Sequence, residues 1–332
     1  MIPRIAVIGG GLAGLACAGA LSDAGFHVTM FDKGRAVGGR TSTRIEERWR
    51  FDHGAARLDL GAPELAALRA WWQAAGVVVP WHARTGEPGD TSNRATWIGV
   101  PGSNALATYL AARLEVETSA RIVSIARRGD WWLEVARAAG VASCGPFEYV
   151  VITAPTPQAI ELLATTAADA LVATLASATF VPCLVAMLAI EGTTAIDELR
   201  ATAGPLASAH RMDARPGRVA PAGVELWVAH GSEAWSAARL EDVPEDAARE
   251  LADALMNHIP GRVIYLRGHR WRYSRAATRI DAPYAYDDRL QLGVAGDGFA
   301  AGTSAPAASR ALLSGLALAA HLGATIATRQ RT

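Results

Sequence analysis

The chain has 332 residues, 51% of them hydrophobic and 19% charged, and its 32 basic and 32 acidic side chains leave no formal net charge. These numbers exclude a disordered polymer, a collagen-like repeat and a nucleic-acid binder with a basic excess. They leave a globular chain of about two domains. Lys33 is the single lysine; every other base is arginine.

Cys17, Cys144 and Cys183 are far apart and lack the CxxC spacing of zinc sites and redox pairs, so they are expected as buried thiols in a reducing, cytoplasmic compartment. Residues 1–8 run directly into glycines, without the separate basic and apolar regions of a secretion signal. The longest apolar stretch, 311–327, is broken by Ser314, Gly315, His321 and Gly323. It reads as a buried helix, short of the about 18 to 20 residues of a membrane span. Neither a membrane nor a nucleic-acid partner is expected.

In chain order, residues 5–8 form an apolar run of the kind a buried parallel strand shows, and residues 12–24 are small and apolar at helical spacing. Between them stand Gly9, Gly11 and Gly14, a GxGxxG, followed by Leu12 and Ala13 at the helix start. A second strand over 27–31 ends at Asp32. In such a βαβ unit the first glycine permits the turn, the second admits a pyrophosphate, and the third lets helix and strand approach. The helix amino terminus supplies free N–H groups, and the acid accepts from a ribose. The motif predicts dinucleotide binding without separating NAD from FAD.

The next residues, Lys33 through Thr41 with Gly38, Gly39 and Arg40, resemble the extended signature of the flavin amine oxidase and phytoene desaturase superfamily. That resemblance implies FAD, with Arg40 and the glycine backbone near its phosphates, as suits a planar guanidinium fork. Residues 121–125, 132–135 and 149–155 fit the same superfamily. There the resemblance implies Ile122 against adenine and Ala154 at the flavin crevice. Residues 290–297 read as a strand ending in Gly296 and Asp297, and the resemblance implies Asp297 on the ribityl and phosphate region. The fold class is α/β: a Rossmann-like FAD-binding domain, discontinuous over 1–60, 97–160 and 286–326, with an inserted α+β substrate domain on a mainly antiparallel sheet. The insertions are 61–96 and 161–285, with strands expected over 181–190, 224–230 and 263–271. Residues 201–222, rich in Pro, Gly and Ala, read as a mobile surface connection.

Within the superfamily, many amine and polyamine oxidases hold a water near flavin N5 with a lysine well along the chain. Lys33 stands at the adenosine end, so that arrangement is not expected. Cys183 lies far upstream of Gly296, which argues for noncovalent FAD. In finer detail the chain resembles the renalase-like family, through residues 51–55, 97–102, 227–236, 269–273 and 296–299 taken in order. What this implies is oxidation of 2- or 6-dihydro isomers of NAD(P)H, with the hydride passing to flavin N5 and oxygen leaving as hydrogen peroxide. A donor driven by aromatisation needs stacking and orientation more than acid or base catalysis.

His230 and Trp235 are the candidates for the flavin face, with His269, Trp271 and Tyr273 nearest the substrate, although a tryptophan on a strand is more often core. Where the family has Gln-Tyr-Phe the chain has Ala56-Arg57-Leu58, so Arg57 meets either an anionic substrate or a surface carboxylate. The segment after Asp297 is longer than usual, and Arg310 stands where a glycine is typical; at the flavin pyrimidine edge it would favour the anionic reduced flavin. An amine, amino-acid or secondary-metabolite oxidase is the alternative, and a flavin-binding protein without turnover a further one. The partners expected are a small substrate, either a dihydronicotinamide dinucleotide or an amine-like molecule, and molecular oxygen.

Overall fold

The computed structural model describes residues 2–46, 49–85, 96–300 and 305–331. Arg4–Ile8 (β1) has four consecutive buried apolar residues, which only an interior strand covered on both faces can accommodate. It lies between His27–Phe31 (β2) and Tyr149–Ile152, with Glu115–Glu117 outside β2 and Leu292–Val294 outside Tyr149–Ile152. These five strands are parallel, and Ala285–Asp287 closes the far edge antiparallel. Leu12–Asp23 (α1) makes the crossover from β1 to β2.

The helix Ala307–Arg329 packs on α1 so closely that a Cβ at Gly315 would stand 2.1 Å from the Ala13 carbonyl oxygen. At 23 residues it is longer than the apolar stretch suggested, and it is long and apolar enough to cross a membrane. In this fold it buries Leu312, Leu318, Leu322 and Ile326 against the core of the parallel sheet. The helix exceeds the expected stretch at both ends, through Ser309 and Arg310 before it and Arg329 after it; Ser309 and Ser314 are buried and donate to the Asp59 and Pro283 carbonyls.

The second large sheet is antiparallel, in the order Glu198–Arg200, Leu206–Arg211, Val224–Gly231, Phe180–Glu191, Arg262–Ala276. Its three expected strands are present and extend beyond the ranges read from the sequence. Alternation divides its two faces. Leu188, Trp227 and Ala229 pack under the helix Pro244–Met256, whereas Val185, Met187 and Val228 meet Trp49 and Phe51 from the first part of the chain.

Two expectations need correction. Residues 201–222 are no mobile connection: they contain the strand Leu206–Arg211, and Met212, Arg215 and Arg218 are buried. Composition suggested mobility, but long-range arginine contacts, which composition does not encode, hold the segment. Nor do residues 61–96 go with the antiparallel sheet throughout, because Leu65, Trp72 and Val78 share one core with Ile5, Val7 and Leu12. Among its described residues Arg84 and Thr85 cross over, where Arg84 pairs with Asp197 and Thr85 bridges to Glu198. Residues 86–95 of that range, and 301–304 of the long segment after Asp297, lie outside the described residues.

Candidate functional site

At the mouth of the parallel sheet the backbone builds a cradle. Gly9 has φ +114°, and a Cβ on Gly14 would lie 2.0 Å from the Gly9 carbonyl oxygen, so α1 can start only where it does if residue 14 is glycine. The first turn of α1 has no side-chain cap and no acid, and a Cβ at Gly11 would meet nothing, which leaves the helix start open to an anion. Gly38 and Gly39, in a left-handed turn, close one side: the Gly38 amide donates to the Gly10 carbonyl at 2.8 Å. Leu12 and Ala13 are buried at the helix start. Thr153 Oγ1, next to Ala154, donates to the Gly9 carbonyl at 3.0 Å.

Asp32 closes one end of the cradle. Its two carboxylate oxygens accept the Gly10 and Gly34 amides, each at 2.6 Å, and each keeps a second lone pair for a ligand hydroxyl. Burial pushes this carboxyl up, and the two amides and Lys33 oppose the shift. Ala120 donates its amide to the Asp32 carbonyl, which brings the strand Arg121–Arg128, with Ile122 buried beside Phe31, to the same corner. Lys33 Nζ donates to Gln158 at 3.2 Å, and burial followed by the charge of Arg121 lowers its pKa.

At the other end of the cradle Arg40 forks onto Asp297, with Nη1 and Nη2 donating to the two carboxylate oxygens at 2.9 and 2.6 Å. Nη1 also reaches the Ser274 carbonyl of the antiparallel sheet at 3.3 Å. Gly296 leads into Asp297 through an amide that donates to Ser314 at 3.0 Å. Arg310 is buried beneath this turn, with its guanidinium on the Asp297 and Ala305 carbonyls. Burial lowers its pKa, as does Arg279. The geometry gives Arg310 the work of fixing the Asp297 turn.

Beyond Arg40 the chain passes through residues 52–57. Asp52 is wholly buried and accepts from Arg218, from Thr43 Oγ1 at 2.6 Å and from the Ser103 amide at 2.8 Å, with Arg215 at 3.6 Å. Burial alone would raise its carboxyl, but the two guanidiniums and the donors hold it below the ordinary range. Arg215 also donates to the Ala56 carbonyl at 2.6 Å. This knot holds the turn that the Arg40 carbonyl grips from the other side, through the Ala55 amide at 2.7 Å.

The antiparallel sheet faces this turn with a row of aromatic and imidazole side chains. His230, Val185 and His269 are register partners across three strands and so share one face. His230 Nε2 sits 3.0 Å from the Gly54 carbonyl, and Trp271 Nε1 donates to the His53 carbonyl at 2.8 Å. His53, His269 and Trp271 pack ring on ring at centroid distances of 4.5 to 5.4 Å. Burial, with neighbouring positive or imidazole groups, lowers His53 and His230 to about 3 and His269 to about 4, so all three are neutral at neutral pH. Tyr273 continues the row next to Phe180, over which Arg40 lies at 5.6 Å.

Sequence reasoning grouped Trp235 with His230, and the structure separates them. Trp235 belongs to the short helix Glu233–Ala238, packs with the core on the other face of the sheet, and donates to Glu250 at 3.3 Å under Arg239. A helical turn after Gly231 carries it away from the strand's alternation. Arg57 meets a carboxylate, Glu198, but a buried one. Both line an open cavity of about 390 Å³ with Ala56, Arg200, Ser208 and His210. Glu198, His210, Arg215 and Arg218 were missed. Residues 198 and 210 are register partners, which a single sequence does not reveal, and the arginines lie in a segment that looked like a loop. Cys17 and Cys183 are buried with thiols raised to about 12, whereas Cys144 is half-buried, on an outer strand of the three-stranded sheet.

Residues 7–74 match the NAD(P)-binding Rossmann-like domain. A phytoene desaturase of Cercospora nicotianae is 45% identical over 56 residues, which span 17% of this chain and 9% of that protein. Solved structures align with nearly all of the chain at low identity. An oxidoreductase from Methanosarcina mazei gives a TM-score of 0.69 at 15% identity, covering 95% of this chain and 99% of that one. Cyclohexylamine oxidase from Brevibacterium oxydans gives 0.70 at 10%, covering 98% and 100%. A reduced UDP-galactopyranose mutase gives 0.72 at 10%, covering 97% and 94%. The same architecture therefore hosts oxidases and a mutase, and at these identities the likeness speaks to fold. The chain has the fold of these solved structures, a Rossmann-like dinucleotide-binding domain joined to a mixed α+β domain on an antiparallel sheet.

Proposed function

We propose that the protein is an oxidase that holds FAD noncovalently, takes a hydride from a small organic donor at flavin N5 and passes the electrons to molecular oxygen, giving hydrogen peroxide. The observation that carries this reading is an unbroken series of contacts. It runs from Asp32 to the Gly10 amide, from the Gly10 carbonyl to Gly38, on to Arg40, from the Arg40 carbonyl to the Ala55 amide, and from the Gly54 carbonyl to His230. Its first half suits an adenosine and a pyrophosphate, its second a flat ring held under the sheet, and the whole suits FAD rather than a mononucleotide.

Bound there, the flavin supplies the redox chemistry. In this reading Asp32 and Ile122 receive the adenosine, and the α1 amides with Gly38 and Gly39 receive the pyrophosphate. Arg40, Asp297 and Gly296 orient the ribityl end. His230, His269, Trp271 and Tyr273 form the wall that stacks the donor and excludes water.

Two donor classes follow. An amine, amino acid or related metabolite fits an architecture shared with cyclohexylamine oxidase. A 2- or 6-dihydronicotinamide dinucleotide is the second, favoured by imidazoles whose pKa values of about 3 to 4 make them weak bases, since such a donor surrenders no proton before hydride transfer. Anaerobic mixing of the yellow protein with each class decides the matter. Bleaching by an amine or amino acid selects the first, bleaching by the dihydro isomers selects the second, and no bleaching by either leaves a flavin-binding protein without turnover.

A further inference from the structure

We propose that Ser208, His210 and Glu198 form a second reactive site, a nucleophile, a base and a carboxylate that together hydrolyse a small carboxylic ester in the cavity beyond the Gly54 turn. This activity needs no flavin and stands apart from the oxidase reading.

Alternation and register bring the three side chains together. Ser208 and His210 are two positions apart on the strand Leu206–Arg211 and so point to one face of the sheet. Glu198 is the register partner of His210 on the next strand, so its side chain joins that face. Ser208 Oγ lies 3.2 Å from His210 Nε2, and His210 Nδ1 lies 3.6 Å from Glu198 Oε2. Glu198 is held in turn by Arg57 on Oε2 and by Arg200 on Oε1 at 3.2 Å. All three line the open cavity of about 390 Å³, a volume within the range of small-molecule sites. Ser208 is half-buried and reachable from it, with His210 and Glu198 buried behind.

The chemistry of the partners sets the tautomer. A carboxylate only accepts, so the ring nitrogen facing Glu198, Nδ1, carries the proton of a neutral imidazole. Nε2 is then bare and accepts the Ser208 hydroxyl. Burial, followed by Arg215, Arg57 and Arg200, holds His210 well below its ordinary pKa, so this neutral form prevails at neutral pH. The Nδ1 distance is longer than a hydrogen bond, as is common before substrate tightens a catalytic contact. As the ring takes up the serine proton it becomes a cation, which the Glu198 carboxylate favours.

The steps balance without a redox partner. Ser208 Oγ adds to the ester carbonyl carbon while its proton passes to His210 Nε2. The carbon–oxygen bond to the alcohol then breaks, and Nε2 gives the proton to the departing oxygen. Water repeats the sequence on the acyl-serine, with Nε2 taking a proton from the water and returning it to Ser208 Oγ as the acid leaves. Ser208 and His210 are catalytic residues here, and Glu198 is a positioning residue. A base held this low is weak, so hydrolysis is expected at the bottom of the about 10²–10⁴-fold that a positioned proton transfer supplies.

The test is to treat the FAD-loaded protein with p-nitrophenyl acetate and, separately, with phenylmethanesulfonyl fluoride, which sulfonylates an activated serine with loss of fluoride. Nitrophenol release should exceed the buffer rate about a hundredfold, and peptide mass mapping should find the sulfonyl group on Ser208. Ser208→Ala should lose both. The Cys144 thiol and the Lys33 amine, which also accept an acetyl group, remain in that variant and set the background. His210→Gln should lower nitrophenol release about tenfold or more. Glu198→Gln should lower kcat about tenfold and leave KM unchanged, a split that loss of structure would not produce. A Ser208→Ala protein that melts normally and releases nitrophenol as fast as the parent overturns the site, as does a sulfonyl group found only on other residues. Either result leaves the flavin reading intact. Ester hydrolysis through Ser208 in a protein that no donor bleaches keeps this site and removes the oxidase.

Discussion

The cradle around α1 and the wall over it are built by opposite means. The cradle is made of backbone: amides and carbonyls of Gly9, Gly10, Gly38 and Ala55, with side chains at two anchor points, Asp32 and Arg40. The wall is made of side chains, His230, His269, Trp271 and Tyr273, carried on regular strands. A backbone site tolerates almost no alternative residue where the chain passes closest to itself. A side-chain site can change its occupants while the strands stay as they are. The overall fold is likewise shared with proteins only 10 to 15% identical to this chain.

The joint between the two regions should be the most sensitive point. Asp52→Ala leaves Arg215 and Arg218 buried without their carboxylate and is expected to cost about 3–5 kcal/mol in chemical denaturation. Because the folded Asp52 pKa lies below its ordinary 3.8, its contribution is complete above that pH and is lost as pH falls through the depressed value. Within the cradle, Gly14→Ala forces a Cβ to 2.0 Å from a carbonyl oxygen. It should cost about 1–3 kcal/mol and yield colourless protein on purification. Gly19→Ala, on the same helix but with nothing within 4 Å, should be neutral or stabilising and leave the flavin absorbance intact. If both variants behave alike, close backbone approach is not what makes the cradle.

The wall should instead reveal itself through pH. His53, His230 and His269 titrate at about 3 to 4 when folded, so between those values and 6.5 the unfolded chain binds more protons. Stability must then fall as pH drops below 6.5, by about 1 kcal/mol per histidine at pH 5.5. Melting temperatures from pH 8 to 5 check this, and His269→Gln should flatten the curve. The smallest effect is expected at Trp235, on the far face of the sheet. Trp235→Phe should change the rate of flavin reduction less than about twofold and stability by less than about 1 kcal/mol, its partner Glu250 being at the surface.

How much of this was legible in the sequence follows the same division. Gly9, Gly11, Gly14 and the acid ending β2 were readable because helix start, turn and strand impose a fixed spacing on them. The antiparallel strands were readable from their apolar runs, but which residues they set side by side was not, since register depends on partners distant in sequence. Hence Glu198 and His210 went unnoticed, and Arg57 could be seen only as a departure from a pattern. Trp235 was misgrouped because its neighbours continue a strand up to Gly231 and the change to helix is local. Arg215 and Arg218 looked like loop residues because a buried arginine is recognisable only by its carboxylate, here 163 and 166 positions away in the case of Asp52.

The Arg40–Asp297 fork bears on the order of events during synthesis. The two residues are 257 positions apart, and Gly315, which seats the last helix on α1, comes later still. At about 5–20 residues per second, roughly fifteen to sixty seconds pass between the emergence of the first glycine turn and that of the carboxylate that closes its far end. Over that interval the nascent chain displays an incomplete cradle, with the Tyr149–Ile152 neighbour of β1 arriving partway. On the proposed function, flavin capture then becomes a late step, set by the docking of the last helix rather than by the glycine motif leaving the ribosome.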